Sequence, residues 1–357
     1  MAPNDVTRQL DQSQLDIGSL LLRPDVSEKE KQKNDEYDFY RYLVSDFHGI
    51  ARCKIVTKSA YPRMSKKGPG IAWRTPLLSF DSFNHYEMTR VDGKKCTDAR
   101  LVVVESVPRP LQWAGKGHSV AGVVCETWWG VEETPQMACP RYIARRLCDQ
   151  LESEFNLRIL HATEMEFTIF NEENRPLFDE GSFYISQEFA NHEAELLTLS
   201  RMCEAAGIPI ETLQTEYGPG QIELVLKPTY GVEGADNEFL FKNAAKEILQ
   251  KPGQYSRCTF MSKPIVDKVG NGSHFNHSLW RVKGSEKDCS LEDAMWSEDY
   301  DCNLSKTAQH WLAGSCTIRR HFQVIYTFFI IFSLHVRLID KAQKPPINKT
   351  KIVADRI

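Results

Sequence analysis

Residues 158–170 read RILHATEMEFTIF, and this run constrains the chain more than any other. Apolar and polar residues alternate, which is the period of a strand with one buried face. Side chains on a strand point to opposite sides in turn, so Glu164 and Glu166 share one face and Met165, Phe167 and Ile169 share the other. Two carboxylates side by side repel. Either they lie on a solvated outer face of an antiparallel sheet, or a cation neutralises them. A second segment, Glu216-Tyr-Gly-Pro-Gly-Gln-Ile-Glu223, turns on its glycine-proline core and then places Gln221 and Glu223 on one strand face. Together the two segments could bring four carboxylates to one place. That all-oxygen environment suits magnesium or manganese better than zinc. A third segment, Gly272-Ser-His-Phe-Asn-His277, puts His274 and Asn276 on a shared strand face. On its own, a histidine there reads as a satisfied structural residue.

The rest of the chain frames these segments. Residues 1–36 hold no aromatic residue and are rich in charged and polar side chains, so they are expected to be a disordered tail. From Tyr37 to about Trp129, short runs such as YRYLV, RCKIV, RLVVVESV and VAGVVCETW are separated by turns and predict a small, mostly β unit. The pattern changes near Pro140. In PRYIARRLCDQLESEF, Ile143, Leu147, Leu151 and Phe155 recur every four residues behind a first-turn proline, which predicts a helix. A long helix is expected over about 187–206, stopped by Gly207 and Pro209, and another from a cap at Asp236 to about Gln250. Further strands are expected in GQIELVL, in RCTFMSKPI and up to Trp280. Antiparallel-type strands mixed with helices make an α+β fold class.

Charge and cysteine usage weigh against several functions. The 357 residues carry 44 Lys and Arg against 48 Asp and Glu, a net charge of -4, which gives no support to a general nucleic-acid binder. The ten cysteines show no CxxC pairing, against a tetrathiolate zinc site. The opening MAPNDVTRQL lacks the apolar core of a secretory signal, so a reducing, cytoplasmic setting is expected. The apolar run 322–336, FQVIYTFFIIFSLHV, falls short of the roughly 20 residues that span a bilayer, so no membrane role is expected.

From about residue 37 to 315 the chain resembles the glutamine synthetase family. The resemblance rests on Asp46-Phe-His-Gly49-Ile-Ala-Arg52, Pro140-Arg141-Tyr-Ile-Ala-Arg, Glu164-x-Glu166-Phe, Gly220-Gln221-x-Glu223 and Ala235-Asp236-Asn237-x-Phe239. It continues through Lys263-Pro264, Asn271-Gly-Ser-His274, His277-Ser-Leu-Trp280 and Trp311-Leu-Ala-Gly314. No single motif decides it; their order and spacing do. The resemblance implies a β-grasp domain over residues 37–132 and an incomplete catalytic α+β domain over 133–315. It implies that ATP phosphorylates glutamate and that ammonia or an amine displaces the phosphate, with two divalent ions, Mg2+ or Mn2+, between the substrates. Carried over by position, Glu166, Glu216 and Glu223 match the ligands of one ion, Glu164 and His274 match two ligands of the other, and Asn271 and Gly272 lie in the loop near glutamate. A ring-shaped homo-oligomer with sites between neighbouring subunits is implied as well. So, from a non-enzymatic branch of the family, is a structural or chaperone-like role on intermediate filaments.

The departures matter equally. Asn276 stands where the family has a second histidine. The loop whose aspartate binds ammonium is replaced by PGIAWRTPLLSFDSF, with Asp81 a poor substitute. After Ser315 the resemblance ends, and with it the family's phosphate-binding arginines and the last glutamate of the second ion. A phosphoryl-transfer transition state lacking those arginines loses a large electrostatic contribution. Residues 316–357 are therefore expected to be a divergent, poorly packed tail on a truncated domain.

Overall fold

The computed structural model describes residues 37–321, apart from 65–69, 75–97, 105–106, 131–132, 251–252, 254, 256, 285–289 and 301–302. The tail at 1–36, the segment holding Asp81 and the run from 322 onward lie outside the described residues.

The first sheet begins with an antiparallel hairpin of β1 (Phe39–Ser45) and β2 (Ala51–Thr57). Asp46 builds its turn: Oδ1 accepts the N–H groups of His48 and Ile50, and Oδ2 accepts Arg52 Nε at 2.8 Å. Four-residue α1 (Tyr61–Met64) stacks Tyr61 on Tyr40 in the core of this unit. Then come β3 (Ile71–Arg74), β4 (Asp98–Val103), β5 (Arg109–Pro110) and β6 (Val120–Trp129). The strand order is β2-β1-β6-β4-β3, with β5 on β6, and β1 runs parallel to β6.

The remainder starts with α2 (Pro140–Phe155), as the four-residue spacing predicts. After it come β7 (Leu157–Phe170), α3 (Ser186–Asn191), α4 (Glu193–Ala205), β8 (Ile210–Thr215), β9 (Gln221–Leu226) and β10 (Thr229–Tyr230). The chain continues through α5 (Val232–Leu249), β11 (Arg257–Thr259), β12 (Ser273–Lys283), β13 (Ser290–Asp293) and α6 (Lys306–His321). These strands form a sheet in the order β13-β12-β7-β9-β8, with β10 and β11 also on β7. Every pairing in it is antiparallel. Strands and helices are mixed along the chain, as the sequence predicts.

The core lies on the face of β7 opposite the glutamates. Met165, Phe167 and Ile169 are fully buried there with Ile222 and Leu224 of β9. Leu240, Phe241, Ala244 and Ile248 of α5 and Leu196 and Leu199 of α4 complete the cluster. Leu43 of β1 and Val124 of β6 belong to the same cluster, so the first sheet packs on the second unit through apolar contact.

Three expectations need correction. The single helix expected over about 187–206 is two helices, because His192 leaves helical geometry (φ -127°, ψ 13°) between α3 and α4. Asp236 does not cap α5. That helix starts at Val232 behind Gly231, whose φ of 63° and ψ of -141° suit glycine alone. Asp236 is buried inside it, paired with Arg141. The strand expected in RCTFMSKPI is limited to Arg257–Thr259. In addition, α6 runs on through Ser315 to His321, past the point where the resemblance was expected to end.

Candidate functional site

Register assembles the site. Glu166 of β7 lies directly opposite Glu223 of β9, and Glu164 of β7 directly opposite His274 of β12. Residues facing each other across antiparallel strands share one sheet face, so the two carboxylates expected on one side of β7 gain a neighbour from each flanking strand. Glu216 opens the turn between β8 and β9: its N–H bonds to the Gln221 carbonyl at 2.8 Å across that turn, near Glu223. Tyr184, in the loop before α3, hangs over the same carboxylates; its N–H bonds to the Thr215 carbonyl at 3.1 Å. All five residues expected as metal ligands are thus gathered on one face.

Each carboxylate has its own environment. Glu164 is held by His274 Nδ1 at 3.0 Å and by Asn276 Nδ2 at 2.6 Å. Asn276, which departs from the family pattern, therefore positions Glu164 directly, and its buried Oδ1 has no hydrogen-bond partner among the described residues. Glu166 Oε2 accepts both the Gly272 N–H at 2.8 Å and Gln221 Nε2 at 2.6 Å. Burial pushes the Glu166 carboxyl above its ordinary range; the Gly272 N–H opposes that shift and Glu216 adds to it. Glu223 Oε1 accepts Gln214 Nε2 at 3.0 Å. Its carboxyl is pushed up to about 8, first by burial and then by Glu216 beside it.

The loop that precedes β12 is tied down by Asn271. Its Oδ1 accepts Thr168 Oγ1 and Gln221 Nε2, both at 3.1 Å, and its Nδ2 donates to the carbonyls of Thr259 and Met261. Asn271 is an internal brace of this loop, while Gly272 supplies a backbone N–H to Glu166.

The donor set suits a hard divalent cation: carboxylate oxygens and one imidazole, with no thiolate. Glu166 Oε1 takes no hydrogen bond among the described residues, and the Glu223–Glu216 contact is one that a cation would relieve. The side chains are nonetheless engaged with amide and imidazole donors. Among the described residues no three of His, Cys, Asp or Glu are closed around a point that a metal ion could fill.

Sequence reasoning missed Gln214 and the part played by Gln221. Gln214 stands opposite Glu223 across β8 and β9, a placement set by a register that shifts at a bulge between Ile210 and Thr212 and that neither strand shows alone. It also missed an ionic cluster that joins β6, α2 and α5. Glu126 of β6, fully buried, accepts Arg141 Nη1 at 2.9 Å and Arg145 Nε at 2.8 Å, and Arg141 also grips Asp236 of α5.

An antiparallel sheet with glutamates gathered on one face, capped by a histidine and an amide-rich loop, is an acidic oxygen-donor site. The catalytic-domain model of glutamine synthetase matches residues 137–342, more than half of the chain, and the chain belongs to that family. It is 24% identical over 294 residues to lengsin of Rattus norvegicus, covering 80% of this chain and 48% of the relative. It is 29% identical over 222 residues to glutamine synthetase of Staphylococcus aureus, covering 60% of this chain and 46% of the relative. The crystal structure of a novel glutamine synthase homolog shares the fold at a TM-score of 0.66 and 20% identity, over 78% of this chain and 62% of that one. The chain spans about half the length of the curated relatives it matches. No helix among the described residues is long and apolar enough to cross a membrane.

Proposed function

We propose that this chain carries the metal-binding side of a glutamate–ammonia ligase site, joining ammonia or a larger amine to glutamate at the expense of ATP. One observation carries the reading: β7, β9 and β12 are in the register that puts Glu166 against Glu223 and Glu164 against His274. Glu166, Glu216 and Glu223 would hold one Mg2+ or Mn2+, and Glu164 with His274 would contribute to a second. When bound, such ions neutralise the charge that develops between ATP phosphates and the substrate carboxylate. The chain's own contribution is to hold the oxygens in place. Gln214, Gln221, Asn276 and the Gly272 N–H each fix one carboxylate by donating to it.

In the same reading, residues 37–132 are a β-grasp domain, for which the parallel pairing of β1 with β6 speaks. Residues 133–315 are then the part of the catalytic domain that holds these carboxylates, and the family match continues past them to residue 342. The protein assembles as a ring of copies in the cytoplasm. The test is chemical: glutamate, ATP, Mg2+ and hydroxylamine should yield γ-glutamyl hydroxamate, and the absence of product at every metal concentration would remove the ligase reading.

A second, non-enzymatic reading has an observation in its favour: the candidate ligands are occupied with amide and imidazole donors and do not close around a common point. In that case the inherited site braces the sheet, and the chain serves a structural role on intermediate filaments. Failure to co-sediment with assembled vimentin-type filaments would remove it.

A further inference from the structure

We propose that Gln221 is the positioning residue of the acidic site, and that cation binding at Glu166, Glu216 and Glu223 depends on this side chain although it is not itself a ligand. The inference rests on the cation reading above and adds the part that orients it.

Gln221 opens β9 and is 2% exposed. Its Oε1 accepts the Gly218 N–H at 2.8 Å. Its Nε2 faces three acceptors: Glu166 Oε2 at 2.6 Å, the Gly270 carbonyl at 3.0 Å and Asn271 Oδ1 at 3.1 Å. That partner set fixes which end of the amide is which, because the opposite orientation would aim its oxygen at three acceptors and its NH2 at a donor.

One side chain thus joins three segments of the site. Gly218 lies in the turn that carries Glu216, and a Cβ there would come within 2.6 Å of Gln221 Oε1, so the turn sits hard against the amide. Gly270 and Asn271 form the loop whose next residue, Gly272, donates to Glu166. Glu166 is the third partner. Both donors, Gln221 Nε2 and the Gly272 N–H, go to the same oxygen, Oε2. The carboxylate plane is therefore set from behind, with Oε1 left for a cation. Partners that orient the residues touching a metal typically change affinity by 10–100-fold when they are removed.

The test is Mn2+ titration by calorimetry on the folded full chain, comparing wild type with Gln221→Met, which keeps the length of the side chain and removes its hydrogen bonds. The proposal expects Mn2+ affinity to fall at least about tenfold and the preference for Mn2+ over Ca2+ to narrow. A loosened site no longer enforces the geometry of the smaller ion, and general destabilisation does not change that preference. Should Gln221→Met fail to fold, Gln221→Asn decides: its amide is one methylene short of Glu166, and the same two losses are expected. Unchanged affinity and selectivity in a folded variant overturn the proposal while leaving the cation reading intact. A wild-type chain that takes up no Mn2+ overturns both.

Discussion

At the scale of single residues, the decisive quantity is the proton on Glu223. Its carboxyl titrates near 8 in the fold, raised by burial and by Glu216, against an ordinary value of 4.5. The sign follows from linkage. A group whose pKa is raised by folding contributes stability below its unfolded pKa and loses it as the pH climbs through the folded one. The metal-free protein should therefore lose melting temperature between about pH 4.5 and 8. Glu223→Gln removes the repulsion and should recover about 1–2 kcal/mol at pH 8 once solvent screening is allowed for. Urea unfolding at pH 5 and pH 8 checks both statements; a variant with the same pH dependence as wild type would refute them. Because a bound cation must displace that proton, Mn2+ affinity should also rise with pH across the same interval.

At the scale of elements, α6 is tied to β12 by directional bonds, among them Arg281 Nη2 donating to Thr307 Oγ1 at 3.3 Å. Trp311 Nε1 donates to His277 Nε2 at 2.7 Å, so that nitrogen must carry a lone pair. His161 lies directly opposite His277 across β7 and β12, and its Nε2 bonds to the Gly231 carbonyl at 2.8 Å. Burial lowers the pKa of both imidazoles, and His161 adds to the effect on His277. A depressed histidine contributes stability above its unfolded pKa of 6.5 and loses it as the pH falls through the lower, folded value. Protease cleavage within α6 should therefore accelerate below pH 6.5 in wild type, and His277→Gln should weaken that pH dependence, leaving the share that His161 contributes. A second prediction concerns the start of α5. A Cβ on Gly234 would stand 2.3 Å from the His161 ring, so Gly234→Ala should displace the ring and lower stability by roughly 1–3 kcal/mol.

How far the elements could be read from the sequence depended on the kind of interaction involved. Alternation along RILHATEMEFTIF is a property of the strand itself, so both faces of β7, including the buried Met165, Phe167 and Ile169, were visible without a structure. The partners of Glu164 and Glu166 were visible only through the family pattern, because cross-strand register is not written in either strand alone. Asp236 looked like a cap because aspartate before an apolar run usually is one. What moved it inside α5 is Arg141, 95 positions away in sequence. The break at His192 and the amide contacts of Gln214 and Gln221 likewise arise from packing between distant segments.

At the scale of the whole molecule, two ionic joints clamp the first sheet to the rest. Glu126 holds Arg141 and Arg145 of α2, and Arg141 reaches on to Asp236 of α5. Glu247 of α5 accepts Arg41 of β1 at 2.6 Å and Trp113 Nε1 at 2.8 Å. Removing one member of a buried pair leaves the other charge uncompensated, so Arg141→Ala should cost about 3–5 kcal/mol. With Leu43 and Val124 in the shared core, that loss should appear as one cooperative transition at lower temperature. Two separate transitions in calorimetry would show that the joints do not couple the parts.

A strand held by four others cannot be lengthened or shortened. Strand β7 pairs with β9, β10, β11 and β12, so inserting or deleting one residue midway would turn Glu164 or Glu166 inward and carry Met165 out into water, against every partner at once. Substitutions can be absorbed locally there, but a change of length cannot. In a library of single-residue insertions and deletions, 157–170 should stand out as a gap among the survivors, whatever chemistry the protein performs.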